Sequence, residues 1–163
     1  MRTSTTLLAA IVAISLPLFA GALMLEVGNP VANPEALGKH AVLLVRTTAC
    51  HSPEKTSLTA TAEGVIDGKR RSIPLKLIPL SMRGTFAVTR EWPSSGIWGV
   101  KFVARNPEYQ DYATGVLVRF DGNSAEWASV KHYSHAPSGE DVDGMLDTHS
   151  GTANASLTHP AVH

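Results

Sequence analysis

His132 and His135 stand three positions apart, and imidazole is a ligand for copper and zinc. The single cysteine, Cys50, adjoins His51, and His149, His159 and His163 lie towards the C-terminus. A structural zinc site needs four ligands, usually in spaced pairs, and no such set of Cys and His pairs occurs here. On a regular strand His132 and His135 point to opposite faces, so they converge on a metal only where the strand ends between them. Two readings follow: a metal site built on His132 and His135, or scattered surface histidines. Cys50 reads most simply as a small buried hydrophobe, with pairing between chains as the alternative in an oxidising compartment.

Paired carboxylates are the other reactive pattern, in Glu140-Asp141-Val142-Asp143. They fall in a stretch expected to be disordered, where catalytic geometry is not held. No G-x-S-x-G elbow, H-E-x-x-H pair or P-loop is present. The chain is therefore expected to be no enzyme, to have no catalytic residue and to need no cofactor. Lys69, Arg70 and Arg71 form a basic cluster. It serves either as a solvated strand edge that discourages aggregation or as a contact for an acidic partner or lipid headgroup.

Charge balance narrows the partners. Lys+Arg and Asp+Glu number 14 each in 163 residues, without the basic excess usual in nucleic-acid binders. Charged residues are 17% and hydrophobic residues 44%, enough apolar surface to fold one domain. With one cysteine no intramolecular disulfide forms, so burial alone must hold the fold.

The elements that would position these groups are strands. Phe86 and Val88 alternate with Thr85, Ala87 and Thr89; after Pro93-Ser94-Ser95-Gly96, Trp98, Val100 and Phe102 share one face of a second run. A period of two marks a strand with one buried face. Further strands are expected over His40–Cys50, Ser57–Ile66, Lys69–Ile78, Ala113–Phe120 and Ala125–Tyr133. Asp67-Gly68 and Asp121-Gly122-Asn123 supply hairpin turns. Pro74 and Pro79 place the third strand at an edge, and Tyr112 is expected to tie down its corner through the hydroxyl.

Gly84-Thr85-Phe86-Ala87-Val88, with Pro93 and Gly96-Ile97-Trp98-Gly99-Val100, resembles the hairpin of bacterial extracytoplasmic immunoglobulin-like modules of the YtkA-like and FixH-like kind. The likeness covers about twenty residues. It implies an immunoglobulin-like β-sandwich outside the cytoplasmic membrane, and it allows copper handling as an alternative role. It carries no ligand residue across.

The ends read as delivery and trailing segments. Residues 1–22 form a signal peptide or membrane-anchor helix, with Arg2, an apolar run from Leu7 to Leu18, and a cut expected after Ala22. Residues 23–37 read as a tether with a helical turn near Pro34–Leu37, and residues 135–163 as a disordered tail. The whole reading is an all-β chain with one immunoglobulin-like sandwich of about seven strands over residues 38–134. It is expected to be an exported, non-catalytic binding module, periplasmic, secreted or anchored facing outward. A protein partner in the cell envelope is expected and no nucleic acid; a periplasmic copper protein and a small secreted enzyme are the alternatives.

Overall fold

A computed structural model describes residues 23–49, 52–109 and 112–147. In chain order the strands are β1 (Met24–Gly28), β2 (Leu43–Thr48), β3 (Ser57–Ile66), β4 (Lys69–Pro74) and β5 (Leu77–Pro79). They continue as β6 (Thr85–Val88), β7 (Ile97–Arg105), β8 (Ala113–Asp121), β9 (Ser124–Ala125) and β10 (Lys131–Tyr133). Among the described residues two short α-helices accompany them, α1 (Pro34–Gly38) and α2 (Gly139–Leu146). Every strand pairing is antiparallel. One sheet has the order β1-β2-β6-β5; the other runs β10-β8-β7-β3-β4, with β9 paired to β8.

The inner faces of the two sheets meet in one hydrophobic cluster. Leu25, Val45 and Val88 come from the first sheet; Trp98, Phe102 and Phe120 come from the second. The expected alternation holds: Trp98, Val100 and Phe102 are each at most 1% exposed. Burying side chains of this size contributes roughly 1.5–3 kcal/mol apiece. The Asp67-Gly68 turn has φ of 51° and 71°, the left-handed pair that a two-residue hairpin requires.

Four expectations need correction. The supposed tether is a strand over Met24–Gly28, laddered to β2 from Met24↔Thr48 to Gly28↔Leu44. Leu23 and Leu25 turn into the core while Met24 is exposed, a period-two signal too short to read beside the prolines that follow. The helical turn is present, as α1, with Asn33 capping it through Ala36 N at 3.0 Å. The single strand over Lys69–Ile78 is two, because the chain changes sheets between β4 and β5 at Leu75-Lys76; both pieces are edge strands, as Pro74 and Pro79 require. The strand over Ala125–Tyr133 is broken by a 3-10 turn at Trp127–Ser129, where Trp127 stands 38% exposed.

The fourth correction concerns the tail. Residues 139–146 form α2 and cover the outer face of the second sheet. Ser138 and Asp141 make a reciprocal capping box, which satisfies amides that would otherwise be orphaned at the helix start. Asp141 titrates below its usual range, chiefly because the Ser138 hydroxyl and amide bond its ionised form. Val142 and Met145, three apart, bury against Leu117. Pro137 lies flat on Gly115, where a Cβ would stand 2.2 Å from its Cδ. The expected leader, residues 1–22, and the last part of the expected tail, residues 148–163, lie outside the described residues.

Gly115→Ala is expected to dislodge Pro137 and loosen α2 while the two sheets persist. Overpacking of this kind costs about 1–3 kcal/mol. Hydrogen exchange should speed at Val142 and Met145 but remain slow in β3 and β7; unchanged exchange in α2 would contradict this packing.

Candidate functional site

Three connections gather at one end of the sheets: 49–56 between β2 and β3, 80–84 between β5 and β6, and 106–112 between β7 and β8. Register places them together. Ser57 opens β3 opposite Arg105, and Arg105 pairs with Ala113. Thr47 N donates to Gly84 O at 2.9 Å, which joins the first connection to the second. Asn106, 2% exposed, joins the first to the third: its Nδ2 donates to Ser52 O at 3.0 Å and to Thr56 Oγ1 at 3.1 Å. Its Oδ1 accepts from Glu108 N at 3.0 Å. A Lys55–Glu108 ion pair adds a surface link across the same gap.

The 80–84 turn is held from behind. Glu35 of α1 accepts from Ser81 N at 3.0 Å and from Ser81 Oγ at 2.7 Å. These bonds, the side-chain one foremost, draw the Glu35 carboxyl below its ordinary range. Gly84 has φ of 72°, and a Cβ there would meet Thr47 O at 2.7 Å. Only glycine lets the turn approach β2 this closely.

Between the 49–56 and 80–84 connections opens a cleft of about 570 Å³. Arg46 and Arg83 flank it, Phe86, Ala49 and Pro53 supply apolar wall, and Glu54 is its acidic member. Arg46 and Arg83 are exposed and make no ion pair among the described residues. A smaller cleft of about 290 Å³, lined by Arg105, Asn106, Pro107 and Tyr112, lies at the same end. Guanidinium groups above an apolar wall suit a ligand with acidic groups beside apolar surface. Tyr112 is 38% exposed, and its hydroxyl makes no hydrogen bond among the described residues, so the expected corner tie does not form.

The opposite end is closed. Trp92 packs edge-on to Phe120 with centroids 5.1 Å apart. The Arg90 guanidinium lies 4.9 Å from the Trp92 ring centroid and 5.4 Å from that of Phe120, while its Nη1 donates to Gly122 O at 2.9 Å. Burial pulls the Arg90 pKa below its ordinary value.

The groups singled out from the sequence fall elsewhere. Lys69, Arg70 and Arg71 lie exposed on edge strand β4. Arg70 is engaged within the chain, to Asp143 of α2 and, at 3.9 Å, to Glu63. His132 is exposed on β10 opposite Val116, and His135 lies beyond the strand end with its ring 5.5 Å from Tyr133. Among the described residues no three of His, Cys, Asp and Glu gather as a metal site would need. Glu140 and Asp141 occupy the first turn of α2. Cys50 and His51 lie outside the described residues.

One buried carboxylate, Glu63, deserves a separate account. It is 6% exposed on the outer face of the second sheet. It accepts from Ser72 Oγ at 2.9 Å and Thr61 Oγ1 at 3.0 Å, with Lys101 Nζ at 3.4 Å. Burial alone would raise its pKa; the Ser72 and Thr61 bonds and the Lys101 charge outweigh it and lower it. A buried ion satisfied in this way organises structure, here by joining β3, β4 and β7.

Sequence reasoning passed over Arg46, Arg83 and Asn106. Ser81-Met82-Arg83-Gly84 carried a turn signal, and Asn106-Pro107 a strand-end signal, but neither reveals which loops share an end.

Asn106→Ala is expected to cost about 1–3 kcal/mol, because it leaves buried carbonyl and amide groups unmet. Urea unfolding measures this; a change within error would mean that the two connections are not held through Asn106. A depressed carboxylate stabilises the fold above its unfolded pKa, and that share is lost as pH falls through the folded value. Stability should therefore drop on acidification below the usual carboxylate range, and Glu63→Gln should flatten that drop. Parallel pH profiles for both proteins would refute the assignment.

None of the protein-family models, curated proteins or solved structures compared with the chain matches it.

Proposed function

We propose that the chain is an exported, non-catalytic binding module with an immunoglobulin-like sandwich, and that it binds through the open end of its sheets. The order β1-β2-β6-β5 facing β8-β7-β3, with β4 at the edge, follows the A-B-E-D and G-F-C order of such sandwiches. In that architecture, loops clustered at one end are the usual binding surface. The single observation that carries the reading is the cleft between the 49–56 and 80–84 connections, with Arg46 and Arg83 at its rim. The partner is a cell-envelope molecule that presents acidic groups beside apolar surface.

Export rests on the composition of residues 1–22. A cut after Ala22 would leave β1 whole and keep Leu23, the first described residue, which is 2% exposed in the core. The stretch that resembles the extracytoplasmic modules spans β6 and β7, which are not the expected hairpin but lie in opposite sheets; its Phe86 lines the cleft.

A photoreactive residue placed at Met82, 55% exposed in the 80–84 connection, tests the reading in the full chain within its own envelope. A discrete adduct is expected, reduced at least five-fold by Arg46→Glu, since an arginine–acid contact is worth about 1 kcal/mol or more. The same probe at Val65, at the far hairpin, should give none. Equal adducts from Met82 and Val65, or indifference to Arg46→Glu, would defeat the proposal.

A further inference from the structure

We infer that the open end of the sheets rests on an anionic lipid surface. The inference builds on the binding end proposed above and names what that end meets. Three observations converge on it.

The first is where the chain enters the domain. Met24 pairs with Thr48, the last residue of β2, at this same end. Leu23 is already buried in the core, so no spacer separates residue 22 from the domain. Residues 3–22 contain no charged side chain, and about 20 apolar residues suffice to cross a bilayer. Whenever that run is held in a membrane, it presents this end to the headgroups.

The second is exposed apolar surface. Met24 is 53%, Met82 55% and Tyr112 38% exposed, and register sets all three at or beside the end of the sheets. Long apolar side chains reach the headgroup–acyl boundary, and tyrosine favours that depth because one part of its ring system is apolar and its tip is polar.

The third is charge. Arg46, Arg83 and Arg105 are exposed here and make no ion pair among the described residues. Glu108 is engaged by Lys55, which leaves Glu54 as the opposing charge in the cleft. Each basic side chain near an anionic leaflet strengthens binding about five-fold. Apolar anchors ringed by arginine thus fit acidic headgroups over acyl chains.

A fluorophore attached through Thr48→Cys in a Cys50→Ser background reports on this end, since Thr48 is exposed at the last position of β2. The labelled full chain is mixed with vesicles of phosphatidylcholine alone, or with phosphatidylglycerol added, and quenched by lipids brominated in their acyl chains. Stronger quenching is expected with phosphatidylglycerol, and raised salt should suppress the difference. The combined Arg46→Glu, Arg83→Glu variant should weaken the phosphatidylglycerol-dependent part by at least roughly twenty-fold. A Met24→Ser, Met82→Ser variant, which alters only exposed side chains, should shift the label to a shallower depth in both vesicles. Equal quenching in the two vesicle types, or no response to the arginine changes, would overturn the inference. If vesicles have no effect but Met82 still gives an Arg46-dependent protein adduct, the lipid is wrong and the binding end stands. Loss of both signals removes both.

Discussion

Trp98 lying on Gly64 is the contact from which the rest of the structure follows. The two residues face each other in the β3–β7 ladder, and a Cβ on Gly64 would come within 2.6 Å of the indole. The ring is 1% exposed, and its Nε1 donates to Ser95 O at 3.0 Å. A large ring over a missing side chain sets the register of the central pair, because a one-residue slip would put a Cβ where the indole lies. β8 then follows β7 along the whole ladder from Ile97↔Asp121 to Arg105↔Ala113.

That register also makes the two ends unlike. At the far end Arg90, Trp92 and Phe120 fill the gap between the sheets. Trp92 Nε1 has no hydrogen-bond partner among the described residues, a cost of about 1–3 kcal/mol that the burial of the edge-packed rings offsets. At the near end no such plug lies beside Phe86 among the described residues, and a cleft opens there. The outer faces are meanwhile taken up. α1 sets Ala36 against Ala87 and Leu80 on one sheet, and α2 sets Val142 and Met145 against Leu117 on the other. Both outer faces thus carry a helix, while the near end keeps its cleft.

Much of this was readable from residue order. Although Phe86 is only half-buried and Thr85 and Ala87, expected outward, are buried, the inward face shared by Trp98, Val100 and Phe102, the Asp67-Gly68 turn and the edge character imposed by Pro74 and Pro79 appear as expected. These are local signals, set by pleat and by φ. β1 escaped notice because five residues beside an apolar leader and two prolines read as spacer. α2 escaped because its composition is that of a solvated segment; Val142 and Met145 gain their burial from a sheet face that Gly99 keeps flat enough to accept them, while Gly115 admits Pro137. The candidate chemistry shifted for a similar reason. Arg70 looked free until α2 brought Asp143 beside it.

Residue order thus dictated which side chains point inward, since a period of two is written strand by strand. It could not dictate which strands become neighbours. The exchange of sheets at Leu75-Lys76, and the meeting of Arg46, Arg83 and Asn106 at one end, depend on pairings between residues tens of positions apart. Those pairings are selected by how two faces of differing side-chain volume close over Trp98 and Phe102. That is a property of the packed whole, and no stretch of the chain carries it alone.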